Sequence, residues 1–331
     1  MNSSLSQKRI LITGASGYLA HALVEMLRGT DCELLLWSRK PAPNVVLGPD
    51  AKLMTASLED PAAWKNAMQG VQVAFHFAAQ TSVKTAAADP VIDWKANAQP
   101  MLLLLEACRF WGSIPTVIFS GTATQVGITT GTWVGEDSRD EPATIYDVHK
   151  LAAELYLKVY ADEGVCRGVS LRLANVYGPG PGSGAQDRGV LNTMVRKALG
   201  GSELTIFGDG KFVRDYVYVD DVARAFLAAA SYADRISGTH FVIGSGEGRT
   251  VADAVRYVAE RVSAKTGKPV PVRHVPAPGA QSSIDRRNFV ADISAFRTAT
   301  GWQPLTPFED GIDRTVQWFS RLSGNEARCA R

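Results

Sequence analysis

The chain predicts an α/β fold in which a doubly wound parallel sheet is followed by a smaller, loop-rich α+β lobe. Three observations predict it. Short apolar runs rich in β-formers alternate with longer helical patterns through the first half, and a glycine-bearing loop separates the first run from the first helix. After residue 176 the rhythm breaks into Gly/Pro-rich segments such as "GPGPGSGAQDRG" and "PAPGAQSS". Continuous apolar strands spaced by helices are what a parallel sheet needs, because the helices cover both of its faces.

Taken in order, "RILIT" is the first strand and 17–29 the first helix. "ELLLW" is followed by a helix over 60–69, "VQVAFHF" by one over 90–111, "TVIFS" by one over 144–163, and "GVSLRL" closes the series. Residues 1–175 then form the dinucleotide-binding domain. Residues 176–331 form mainly a substrate lobe, with some segments returning to the sheet, and such loop-rich regions commonly carry binding.

Bulk properties narrow the partner. The 331 residues are 46% apolar, which supports a substantial core, and 35 basic residues nearly balance 33 acidic ones for a net charge of +2. That balance gives no electrostatic footprint for nucleic acid or a charged membrane, so the partner is a small molecule. Cys32, Cys108, Cys166 and Cys329 are scattered without a CxxC pair, which argues against a disulfide framework or a metal site. No stretch is long enough for a signal peptide or a membrane span, the longest apolar run being "MLLLLEAC", and the reading is cytoplasmic. The polar end "SGNEARCAR" reads as frayed.

In "RILITGASGYLAHALVEML", Gly14 and Gly17 stand at the first strand-to-helix junction, with Ala20 three further on. Glycine there permits a tight turn and close approach of a pyrophosphate, and the helix N-terminus adds amide donors and partial positive charge. A plain glycine turn is the bland alternative. Its place at the head of an alternating chain favours a dinucleotide. After the second strand, Ser38 and Arg39 stand where an NAD-binding chain usually offers a carboxylate to the ribose. A guanidinium beside a hydroxyl suits a 2′-phosphate, so the cofactor reads as NADP before NAD.

Tyr146 and Lys150 stand four apart in "TIYDVHK". On a helix they share a face, a spacing common by chance. It gains meaning from the rest of the chain, which resembles the extended short-chain dehydrogenase/reductase family, in particular its sugar-nucleotide epimerase/dehydratase group. The resemblance rests on "TGASGYLA", "FHFAAQTSV" with Asn97 after it, "VIFSGTATQVG", "YDVHK", "LRLANVYGPG", "RDYVYVDDVA" and "TGWQPLTPFEDGI", and spans nearly the whole chain. Ala20 replaces the family's usual third glycine, Ser57 its aspartate near the adenine, and Val126 the tyrosine of its usual "VYG".

The resemblance implies a Rossmann-type sheet and assigns roles. Tyr146 is the acid/base, Lys150 holds the nicotinamide ribose and favours the phenolate, and Thr122 hydrogen-bonds the reacting oxygen. His149 is given a structural role. Cofactor contacts fall on Gly14, Ser16, Gly17, Tyr18 and Leu19, then on Ser38, Arg39, Ser57 and Leu58, and then on Phe77, Ala78, Ala79 and Asn97. Asn175, Arg214 and Arg287, with Arg286 as a further basic contact, grip a nucleotide-diphosphate sugar together with Thr122 and Tyr146. A homodimer pairing through helices 94–111 and 145–163 is implied as well.

Ala123 and Thr124 follow Thr122 where the family's dehydratases carry an acidic pair. Neither can serve as the acid or base of an elimination, and the family's decarboxylases keep at least the glutamate. Two mechanisms remain: a C4 epimerase working through a 4-keto sugar, which leads, and an NADPH-dependent reductase of a 4-keto sugar. Reduction of a non-sugar carbonyl and a silent dinucleotide sensor are further alternatives. A sensor would be expected to have lost the Tyr/Lys pair.

Overall fold

A computed structural model describes residues 2–39, 51–129, 131–180, 189–276 and 287–329. The chain opens with β1 (Arg9–Thr13), α1 (Tyr18–Leu27), β2 (Glu33–Ser38), β3 (Ala51–Thr55), α2 (Pro61–Met68) and β4 (Val73–His76). It continues with α3 (Val83–Ala88), α4 (Pro90–Asn97), α5 (Gln99–Trp111), β5 (Thr116–Thr122), β6 (Trp133–Val134), α6 (Ile145–Asp162), β7 (Arg167–Leu173) and β8 (Asn175–Tyr177). Then come α7 (Val190–Leu199), β9 (Leu204–Phe207), β10 (Val213–Tyr218), α8 (Val219–Ser231), α9 (Ala233–Ile236) and β11 (Thr239–Ile243). The last elements are β12 (Gly248–Thr250), α10 (Val251–Thr266), β13 (Val272–Val275), β14 (Val290–Ala291), α11 (Ser294–Thr300) and α12 (Phe308–Cys329).

Seven strands form one sheet in the order β11-β7-β5-β4-β1-β2-β3, and every pairing in it is parallel. The order reverses between β1 and β4, which opens a crevice at the carboxyl ends of those strands. The apolar runs fit their positions: β4 is buried throughout, and β1 and β2 in all but their first residue. One face packs against α1 and α8 through Leu23, Phe226 and Phe75. The other packs against α2, α5 and α6 through Trp64, Leu104 and Leu157.

The structure adds elements that the sequence pattern does not announce. Strand β3 lies at the sheet edge with its side chains largely exposed, so "AKLMT" carries no core pattern. The helix read over 90–111 is two helices separated at Ala98. Pro100 lacks the N–H that would continue the first of them, and it disfavours helical backbone at the residue before it. Strand β11 comes from the second half of the chain and pairs with β7 at the other sheet edge. The β12-β10-β8 and β13-β9 sheets and α7, α10 and α12 gather around a separate core of Tyr177, Tyr216, Val255 and Phe308, while Val134 of β6 and Ala291 of β14 pack with Ala123, Val126 and Phe289.

Candidate active site

The turn after β1 is built for close approach. Gly14 has φ +70°, and a Cβ there would lie 2.8 Å from the Ala78 backbone nitrogen, while one on Gly17 would lie 2.9 Å from the Gly14 carbonyl oxygen. The turn is tied to β4 by Thr13, whose Oγ1 accepts from the Ala78 N–H at 3.1 Å and lies 2.9 Å from His76 Nδ1. Gly17 caps α1 without any side-chain acceptor. The first amides of that helix are therefore left for an anion, which is the fit a dinucleotide pyrophosphate requires.

A cavity of about 650 Å³ runs from this turn along the sheet's carboxyl edge. Gly14, Ser16, Gly17, Tyr18 and Leu19 line it, with Ser38, Arg39, Ser57 and Leu58 and with Phe77, Ala78 and Ala79. Thr122, Tyr146, Lys150 and Asn175 line it too, so most residues singled out from the sequence converge here. Asn97, Arg214 and Arg287 do not line it. Asn97 is buried, its amide donating to the Gln80 carbonyl and to Asp93 Oδ1, each at 3.0 Å. Arg214 donates to the Val213 and Arg287 carbonyls. Arg287 donates to the Ala123 and Gly127 carbonyls, so it braces the turn behind Thr122. Arg286 lies outside the described residues.

Tyr146 and Lys150 occupy the first turns of α6, which Thr144 caps by accepting from the Asp147 N–H at 3.2 Å. Lys150 is 3% exposed, with Nζ 4.2 Å from the centroid of the Phe119 ring. Burial depresses its ammonium to about 7, against the pull of Asp93 and Glu154. Burial also raises the Tyr146 phenol above its ordinary value, and the carboxylates of Asp147 and Asp93 push the same way. Desolvation thus opposes the ammonium effect anticipated from the sequence, Lys150 being buried and Tyr146 half-buried.

Thr122 closes β5 and caps the short 3₁₀ turn Ala123–Val126. Its N–H donates to Gln125 Oε1 at 2.9 Å, while the Thr124 N–H donates to Thr122 Oγ1 at 3.3 Å. Gln125 is itself buried and donates to Glu154 Oε2 at 3.0 Å, which ties this turn to α6.

Several functional neighbours have no strong signal in the sequence. Asp93 is fully buried, and its Oδ2 lies 2.6 Å from His149 Nδ1. Its other oxygen accepts from Gln80 and Asn97. The one clue was its place four residues before Asn97 on the same helix. Tyr216, Tyr177 and Val190 line the cavity from the second half of the chain. Among the described residues, no group of three or more His, Cys, Asp or Glu side chains is placed to hold a metal ion, and no helix is long and apolar enough to cross a membrane.

A parallel sheet with a glycine turn at its switch point and a Tyr-x-x-x-Lys helix beside it defines an extended short-chain dehydrogenase/reductase. The chain belongs to the NAD dependent epimerase/dehydratase family, whose family model matches residues 10–244. It is 30% identical to a UDP-glucose 4-epimerase of Mycolicibacterium smegmatis, over 95% of this chain and 99% of that protein. Among solved structures, the Thermotoga maritima UDP-glucose 4-epimerase with UDP-glucose superposes with a TM-score of 0.84 at 30% identity, covering 95% of this chain and 99% of the other. The Thermus thermophilus UDP-glucose 4-epimerase complex with NAD gives 0.79 at 31% identity, covering 94% and 98%.

Proposed function

We propose that this chain is a nucleotide-sugar epimerase that inverts hexose C4 through a 4-keto intermediate. The observation that carries the reading is the convergence of Thr122, Tyr146 and Lys150 on one cavity with no carboxyl in the turn that follows Thr122. The similarity to UDP-glucose 4-epimerases along nearly the whole chain supports it. Gly14, Gly17 and the first amides of α1 would hold a nicotinamide dinucleotide, which would supply a reversible acceptor for the C4 hydrogen and its electron pair.

Everything else falls to the protein. Tyr146 would act as the phenolate that accepts the proton of the C4 hydroxyl, a form that positive charge beside it favours. Lys150 places an ammonium within the same buried wall, and Thr122 holds the reacting oxygen. Asn175, exposed in the cavity lining with its amide donating to the Asp215 carbonyl at 3.1 Å, contacts the nucleotide diphosphate. Ala123 and Thr124 supply no acid for elimination, so the sugar keeps its substituents.

Ser38 and Arg39 in the cavity lining favour NADP over NAD. The same observation favours a second reading, an NADPH-dependent reductase of nucleotide 4-keto sugars. Glu59 also lines the cavity but is ion-paired to Lys95 at 3.1 Å. Cys32, Cys108 and Cys166 are free and buried, which fits a reducing, cytoplasmic setting. The outward face of α6 carries Val148, Leu155 and Val159, each more than 40% exposed, in support of a homodimer formed through this helix.

Purified protein incubated with UDP-glucose, UDP-N-acetylglucosamine and dTDP-hexoses tests the reading by proton NMR of the product. We expect C4 inversion without net use of added dinucleotide. Stoichiometric oxidation of NADPH by a 4-keto sugar, with no inversion, would replace it with the reductase. Arg39→Ala should weaken NADPH and leave NADH unchanged; tighter binding of NADH than NADPH by the unaltered protein would refute the NADP preference.

A further inference from the structure

Two walls of the cavity are joined by a pair of opposite charges. Ser57, Leu58 and Glu59 line it from the segment after β3, and Ile92, Lys95 and Ala96 line it from α4. Lys95 Nζ lies 3.1 Å from Glu59 Oε2, and the two side chains are 45% and 49% exposed. Groups that line a cavity and still meet water stand at its opening, so this ion pair spans the opening from wall to wall.

Both backbones are anchored. The Glu59 N–H donates to Ser57 Oγ at 3.2 Å, and the Leu58 carbonyl before it accepts from Trp64 Nε1 at 2.8 Å. Lys95 stands two residues after the fully buried Asp93, whose carboxylate accepts from Gln80 and Asn97 and meets His149 of α6. The parts free to move are the two long side chains, and exposed side chains change rotamer within nanoseconds.

We propose that Glu59 and Lys95 form a strap across the dinucleotide cavity, which has to part before a dinucleotide enters or leaves. Its purpose rests on the epimerase reading above. An epimerase needs one dinucleotide to stay through both half-reactions, whereas a reductase exchanges it at every turnover. A strap that closes alike over the empty and the filled cavity slows entry and exit by the same factor, the fraction of time it stands open, and leaves the affinity nearly unchanged. An exposed ion pair holds the closed form only a few-fold over the open one, so the strap retards exchange roughly two- to fivefold. Separate charges felt by the dinucleotide phosphates would behave otherwise: loss of the lysine would speed release, and loss of the glutamate would slow it.

The test is stopped-flow binding and release of NADH and of NADPH by the full chain, followed by nicotinamide fluorescence, with excess oxidised dinucleotide as the chase. Glu59→Gln and Lys95→Met should each speed both association and release roughly two- to fivefold, with Kd nearly unchanged. The double variant should release no faster than either single one, because the second substitution has no pair left to break. Release slowed by Glu59→Gln and sped by Lys95→Met, or unchanged in either, overturns the strap. A chain that binds neither NADH nor NADPH overturns the strap together with the dinucleotide site. The rates are read without sugar, so they decide the strap whatever the C4 inversion assay shows, and that assay decides the epimerase reading alone.

Discussion

At Lys150 burial and chemistry pull in opposite directions. An ammonium held at about 7 by desolvation penalises folding because charging Lys150 is harder in the folded chain than in the unfolded one. The penalty is complete below about 7, and it fades as pH rises towards the ordinary lysine value near 10.4. Lys150→Met should therefore abolish turnover yet stabilise the dinucleotide-free protein at pH 7 by on the order of 3 kcal/mol. Its stability should also climb less steeply than that of the unaltered chain between those pH values, as denaturant melts across that range would show. Tyr146→Phe removes only the titrating oxygen, so turnover should fall roughly 10²–10⁴-fold with dinucleotide affinity nearly unchanged. Turnover near that of the unaltered chain would remove Tyr146 from the acid/base role. Both residues were legible in the sequence because the Tyr-x-x-x-Lys spacing survives as text. Asp147 was not, although "TIYD" carries the signature of a helix cap, because its partner Thr124, whose hydroxyl donates to it, comes from a different strand end.

Helix α6 is held to the sheet by one buried carboxylate. Glu154 Oε2 accepts from Ser170 at 2.8 Å and from Arg172 Nε at 3.0 Å, and Oε1 accepts from Arg172 Nη2 at 2.7 Å and from Lys158 at 2.8 Å. Burial pushes the carboxyl up, but the Arg172 hydrogen bonds and charge outweigh it and hold Glu154 near about 2. Its folded value is depressed, so its stabilisation is present above the ordinary glutamate value and lost as pH falls towards about 2. Glu154→Ala would leave Arg172 in the interior with Asp140 alone, and should cost about 3–5 kcal/mol in urea unfolding. A loss below 1 kcal/mol would show the network to be dispensable. Elements buried on both faces were easy to read, as "RILIT" and "GVSLRL" show. The edge strand β3 and the break at Ala98 were hard, since an exposed strand has no apolar period and one proline hardly alters a helical pattern.

For the whole molecule, strand order decides where chemistry can occur. The reversal between β1 and β4 opens the cavity, and α6 delivers Tyr146 and Lys150 to its wall. Gly14, Gly17, Ser38, Phe77, Thr122 and Tyr146, which close or follow strands of the sheet, were singled out from the sequence and line this cavity. Arg214 and Arg287, read as substrate contacts, depend on how the C-terminal segments fold back, and there they meet backbone carbonyls. The apolar stripe on α6 predicts a homodimer in light scattering at micromolar concentration. Leu155→Glu with Val159→Glu should shift it to monomer, and a monomer before any substitution would refute the assembly. The most direct test of the central claim follows the hydrogen itself, using a nucleotide hexose labelled with deuterium at C4 and turned over in ordinary water. The account predicts inversion at C4 with the deuterium still on that carbon, because the hydrogen never leaves the cavity. Loss of the label to solvent, or its replacement by hydrogen from added NADPH, would contradict it.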